Sequence, residues 1–184
     1  MKPGKVVFSG KTELGLPIII RYVAKEDLHA LLKYINTISR EKTYIRFQGE
    51  RQTLKEEKQW LDDVLEKIKK QKSVSLLALG NDKLIGMSGI TLKDKSENHV
   101  GDFGITVARG FRNQGIGSLL LKCVLEEANK NLPGLKIITL RVFANNPVAR
   151  KLYRKFGFKE FGLLPNGTRH REKFVDLVYM YMST

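Results

Sequence analysis

An α/β chain with a mixed central β-sheet flanked by helices is what this sequence predicts, and three observations predict it. Short β-branched runs, such as residues 17–23 (PIIIRYV) and 135–143 (LKIITLRVF), alternate with stretches whose apolar residues recur at helical spacing. One run, residues 99–107, enters a glycine turn that opens straight into a helix. No internal repeat, low-complexity tract or linker interrupts the 184 residues, so one domain over residues 1–184 is expected.

In chain order, residues 17–23 read as the first strand. A core-facing helix follows over 26–38, with Leu28, Leu31, Leu32, Ile35 and Ile38 on one side. Residues 39–52 show no clean period. Thr53-x-x-Glu56 is a capping box, and it opens a helix to about residue 70 with Trp60, Leu61, Val64, Leu65 and Ile68 on one side. Residues 74–80 and 84–92 read as a hairpin turning at Asn81-Asp82-Lys83. Beyond the strand at 99–107, the turn Arg112-Asn113-Gln114-Gly115-Ile116-Gly117 leads into a helix over 118–131, which Leu132-Pro133-Gly134 ends. After the strand at 135–143, Asn146 is a good N-cap with Pro147 at the first helical position, and that helix stops at Gly157. Two last strands, 159–164 and 174–182, are expected to join through Pro165-Asn166-Gly167 and a basic loop.

Composition bounds the function. Hydrophobic content of 42% with 28% charged residues is globular, and no apolar run approaches a membrane span. The N-terminus lacks the apolar core of a secretory signal, and a single Cys123 suits a reducing compartment, so a cytoplasmic protein is expected. Lys and Arg total 33 against 19 Asp and Glu, a formal charge of +14. That field draws anions and repels polycations. The basic residues are scattered instead of gathered in an arm, and no RNA-binding module is present, so nucleic acid is not the expected partner. The spacing of His29, His99 and His170 supports no metal site. Cys123 falls within an apolar helix, which favours a packed, inert thiol.

The glycine turn carries the chemistry. The first N–H groups of a helix have no intrahelical partner, and the helix dipole adds positive potential there, so glycines that admit a ligand make such a turn a phosphate socket. A Walker loop is excluded because no lysine stands between Gly117 and Ser118. A dinucleotide fingerprint is excluded because Leu120 stands where its third glycine belongs. The remaining pattern, Arg-x-x-Gly-x-Gly at a strand-to-helix turn, resembles the acetyl-CoA signature of the GNAT N-acetyltransferase family. A second segment, Asn146-x-x-Ala149-x-x-Leu152-Tyr153 closing on Phe156-Gly157-Phe158, is similar to another stretch of the same family and stands in the expected order. The resemblance covers about residues 74–182. The N-terminal third fits the family's order of elements but holds no specific motif.

The resemblance implies a GNAT-like fold in which acetyl-CoA fills a splay between two parallel strands, here 99–107 and 135–143. Its amide groups at Ile105 and Val107 would face the acetyl-pantetheine arm. Arg112, Asn113, Gln114, Gly115, Ile116, Gly117 and Ser118 would hold the pyrophosphate, with the Arg112 guanidinium adding charge. Asn146 would bond the pantetheine arm, and Tyr153 would protonate the departing CoA thiolate. The implied reaction is direct attack of a primary amine on the thioester, the amine belonging to an amino-acid-like molecule, a protein N-terminus or a lysine. A non-catalytic acetyl-CoA sensor is the alternative. The family's upstream Glu falls at Gly101, with Asp102 adjacent, so Asp102 and His99 become the candidate bases; a one-residue offset puts Asp102 on the opposite face unless a bulge intervenes. Family anatomy sets residues 39–52 and 165–173 over the acceptor, marking Tyr44, Phe47, Glu50 and Arg169. The apolar C-terminal strand (Leu177 to Met180) is suited to pairing across a homodimer.

Overall fold

The computed structural model describes residues 1–184, and the β-branched runs join in a single eight-stranded sheet. Its strands are β1 Val6–Lys11, β2 Pro17–Tyr22, β3 Ser73–Gly80, β4 Lys83–Leu92, β5 Val100–Val107, β6 Ile137–Phe143, β7 Lys159–His170 and β8 Lys173–Ser183, in the order β1-β2-β3-β4-β5-β6-β8-β7. Four helices complete it: α1 Leu28–Arg40, α2 Leu54–Lys69, α3 Ile116–Asn131 and α4 Pro147–Lys155. Every neighbouring pair is antiparallel except β5 with β6. No helix is long and apolar enough to cross a membrane.

Helices pack on both faces of the sheet. Helices α1 and α2 cover one face of β3 and β4, and α3 covers the other. The central strand β3 is accordingly buried along nearly its whole length, the expected fate of a run with no polar face. Gly86 on β4 sits where an added Cβ would stand 3.0 Å from Leu120 of α3, so glycine there lets helix and sheet close together. Both predicted caps form. Thr53 accepts the Glu56 N–H while the Glu56 carboxylate accepts the Thr53 N–H at 2.8 Å. Asn146 accepts the Ala149 N–H at 3.2 Å and Pro147 opens α4. A cap of this kind contributes about 1 kcal/mol.

Several expectations are corrected. A strand, β1, precedes the run read as the first strand; with Val6 51% exposed and Ser9, Gly10 and Lys11 all facing solvent, it carries too little apolar periodicity to stand out. Trp60 lies 37% exposed on α2, away from the buried Leu61 and Ile68. Pro165-Asn166-Gly167 is not the last hairpin turn. It forms a bulge inside β7, and the chain reverses at Arg171 and Glu172, whose φ angles of 49° and 69° suit a tight two-residue turn. His170 therefore ends β7 as a buried residue instead of lying in a basic loop. Nor can the C-terminal strand pair across a dimer: β8 has β6 on one edge and β7 on the other, and Leu177, Val178 and Met180 are buried.

Candidate active site

The parallel ladder between β5 and β6 lasts only three pairs, Val100↔Ile137, Gly101↔Ile138 and Asp102↔Thr139. Past Asp102 the two strands part, while β5 stays paired with β4 up to Val107 and β6 with β8 up to Phe143. Strand alternation sends successive amides to opposite edges, and the Ala108 N–H bonds Ile85 on β4. The amides of Val107 and Ile105 consequently face the gap. A cavity of about 740 Å³ occupies it, lined among others by Gly104, Ile105, Val107, Leu140, Val142 and Tyr153.

At the far end of β5 the chain turns into α3. Asn113 (φ 61°) and Gly115 (φ 76°) take left-handed backbone, and an added Cβ on Gly115 would meet Glu13 at 3.1 Å. The first helical hydrogen bond is Leu119 N–H to the Gly115 carbonyl, which leaves the amides of Ile116, Gly117 and Ser118 without a backbone partner. Asn113 and Gly117 line the cavity. The Ile116 side chain is buried in the core, so only its amide is available, and the Gln114 side chain turns back to donate to the Gly110 carbonyl.

Arg112 lines the cavity, but its guanidinium is already engaged. Its Nε donates to the Val107 carbonyl at 2.8 Å, and its Nη2 pairs with Glu41. The other Glu41 oxygen accepts the Arg109 N–H at 3.3 Å. Glu41 is the C-cap of α1, so this carboxylate fastens the start of the α1–α2 segment to the glycine turn. A parallel tie joins Tyr34 of α1 to Thr106 of β5, hydroxyl to hydroxyl at 3.0 Å. Burial raises the Tyr34 phenol well above its ordinary range, so it stays protonated and able to donate.

Two faces of β5 present different chemistry. Phe103, Ile105 and Val107 face α3 and α4; the Phe103 ring meets that of Tyr153 at 5.8 Å and that of Phe158 at 6.0 Å. Tyr153 is 7% exposed and lines the cavity. Burial pushes its pKa up to about 12. Asp102, Gly104 and Thr106 share the opposite face, that of α1, because the β4–β5 register runs unbroken from Gly86 to Leu92 and no bulge resets it. Asp102 is exposed at the point where the strands part and accepts a 2.8 Å bond from Thr139. It stands just outside the cavity lining, and His99 lies further back, its carbonyl holding the Lys136 N–H.

Of the acceptor-side candidates, Tyr44 lines the cavity, edge-on to Phe143 at 6.1 Å and against His170 at 4.5 Å. Phe47 and Glu50 do not reach it: Phe47 lies beneath the Arg46 guanidinium, and the Glu50 carboxylate accepts the Gln48 amide. Arg169 points away onto Phe174 and Glu172. The sequence reading missed Glu41, Arg46, Arg141 and His170. A signal existed for Arg141, the one charged residue in the apolar run Ile137–Phe143. None existed for Glu41, whose partners lie 68 and 71 residues away.

A family model described as acetyltransferase (GNAT) family matches residues 33–158, and the chain belongs to that family. An L-amino acid N-acetyltransferase of Escherichia coli (strain K12) is 35% identical over 83 residues, 45% of this chain and 51% of that protein, so the match spans about half of that curated relative. A GNAT acetyltransferase from Streptococcus pneumoniae superposes with a TM-score of 0.81 at 29% identity, covering 90% of this chain and 98% of that one. A ribosomal-protein-alanine N-acetyltransferase from Brucella melitensis shares the fold, with a TM-score of 0.77 at 24% identity over 90% and 99% of the two chains.

Proposed function

We infer that this protein transfers the acetyl group of acetyl-CoA to the primary amine of a second substrate. The observation that carries the reading is the gap between β5 and β6, which opens past a three-pair ladder and runs to an unpartnered helix N-terminus. An extended acyl-pantetheine chain fits such a gap as a guest strand. The Ile105 and Val107 amides are its hydrogen-bond donors, and the Val107 N–H is the group that stabilises charge on the thioester oxygen. Pyrophosphate is held by the amides of residues 113–118, with Asn146 on the pantetheine side. Arg112 acts by shaping this turn, since its guanidinium is committed to Val107 and Glu41.

The amine attacks from the α1 face, over Gly104, where an added Cβ would meet nothing within 4 Å. The new C–N bond forms as the C–S bond breaks. Asp102 lies two residues along β5 on the same face, about 7 Å away, within reach of the departing ammonium proton through one water. Tyr153 acts from the other face as hydrogen-bond donor to the leaving thiolate. With a pKa near 12 it stays protonated across the working range, yet full transfer to a thiolate of pKa ~8.5 is uphill, so its role is to stabilise the thiolate until solvent protonates it. The test is free-thiol release from acetyl-CoA across an amine and peptide panel, with CoA affinity measured in parallel. Tight CoA binding with no thiol release for any amine would favour the sensor alternative. Absent CoA affinity would overturn both. The reducing cytoplasm remains the proposed setting, on the strength of the lone buried Cys123.

A further inference from the structure

The charged side chains lining the cavity are Arg46, Arg112 and Arg141, and no Asp, Glu or Lys stands among the lining residues. Arg112 is neutralised by Glu41. The other two are free: the chain's arginine ion pairs use Arg21, Arg112, Arg150, Arg154 and Arg169, never Arg46 or Arg141. Arg46 meets only the ring of Phe47, at 5.6 Å.

Their placement separates them from the phosphate end. Thr139, whose side chain bonds Asp102, fixes the α1 face of β6, and alternation puts Arg141 and Phe143 on that face. Continuing the Asp102↔Thr139 register sets Arg141 level with Gly104, beside the open space over that glycine. Three further residues of β5, about 10 Å of strand, lie between Gly104 and the glycine-turn side of the cavity. Arg46 arrives on the same face through the α1–α2 segment, two residues after Tyr44, whose ring packs edge-on to Phe143.

We propose that Arg141, assisted by Arg46, is an anion-recognising subsite, and that the acceptor is a small amine with a carboxylate or equivalent oxyanion beside its nitrogen: a free amino acid, not a polyamine or a neutral amine. The proposal rests on the acetyl-transfer reading above. A guanidinium offers a planar pair of donors matched to a carboxylate, and a cavity wall without acidic groups leaves that pair no internal competitor. The same cation lowers the pKa of the neighbouring acceptor ammonium, which raises the fraction of neutral, nucleophilic amine. Asp102 is the one carboxylate nearby, so Arg46, Arg141 and the +14 charge of the chain leave a polycation with net repulsion there.

The experiment measures thiol release at saturating acetyl-CoA for free α-amino acids, their carboxamides, a polyamine and short peptides with the same N-terminal residues. The expected result is a kcat/KM for a free amino acid about tenfold or more above that of its carboxamide. In Arg141→Gln that ratio should collapse toward one through a raised KM for the free amino acid, and Arg46→Gln should reduce it less. Arg141 is exposed, so the variant should keep its fold; unchanged CoA affinity and melting temperature verify this. Carboxamides, polyamines or peptides used as well as free amino acids would overturn the proposal, as would an unchanged ratio in Arg141→Gln. Absence of thiol release with every amine would overturn the acetyl-transfer reading itself.

Discussion

The two ends of the cavity are made in different ways. The glycine-turn end is local: left-handed residues, a helix start and free amides all fall within the six residues from Asn113 to Ser118. The acceptor end gathers Tyr44 and Arg46 from the α1–α2 segment, Arg141 and Phe143 from β6, and Gly167 and Thr168 from the β7 bulge. Backbone recognition tolerates almost any side chain but needs particular dihedral angles. Side-chain recognition is free of that constraint and can be rewritten one residue at a time. One end is therefore suited to a fixed ligand and the other to a variable one.

That contrast can be broken experimentally, and the largest effect is expected where the ends meet. Tyr153→Phe should lower kcat about 10–100-fold, the worth of one hydrogen bond to a charged group, with little change in either substrate's KM; loss of CoA binding instead would make Tyr153 a packing residue of the pocket. Next, Gly115→Val must adopt φ 76° and press on Glu13, a strain of about 1–3 kcal/mol. CoA affinity by calorimetry should fall about tenfold or more while acceptor preference stays as in the parent; a changed preference would show that the two ends are not separable.

Glu41→Gln tests the tie between them. The Glu41–Arg112 pair is a third exposed on its arginine side, so screening limits its worth to about 1 kcal/mol. Both KM values should rise several-fold together, and Glu41→Asp should not restore them, because a shorter side chain cannot span both Arg109 and Arg112. A rise confined to one substrate would sink the coupling. The smallest effect concerns pH. Burial, with Arg171 adding to it, lowers the His170 pKa against a smaller opposing pull from the Lys42 backbone, which is too poorly placed to give the buried Nε2 a hydrogen bond. The unfolded chain thus takes up the proton first, so stability is fully present above the ordinary value of 6.5 and is lost as pH falls below it. Melting temperatures at pH 7.5 and 5.5 should differ less in His170→Gln than in the parent; equal differences would remove His170 from the account.

The same contrast decides what a reader of the sequence could see. The turn, both helix caps and the order from β2 to β8 were legible because each rests on residues close together in the chain, where spacing alone encodes geometry. Asp102 shows the boundary. Alternation correctly sets it on the face opposite Phe103, but its position at the parting of β5 and β6 depends on pairing with Thr139, 37 residues on. Phe47 and Glu50 lie in an aperiodic segment, which gives no clue to which side chains turn inward, and neither lines the cavity. Tyr44 turns inward because Phe143 and His170 receive its ring. Pro165-Asn166-Gly167 is a strong turn signal in the sequence, but a bulge inside β7 satisfies it equally well.

The short β5–β6 ladder has a thermodynamic consequence. Three rungs connect the two halves of an eight-stranded sheet along their shared edge, so a thioester bound as proposed would contribute cross-strand hydrogen bonding that the polypeptide does not provide for itself. Heat resistance should then follow cofactor abundance by mass action, gaining about 2.7 kcal/mol at a hundredfold excess over the dissociation constant. In a cell, the acetyl-CoA supply would govern how long each molecule survives as well as how fast it works.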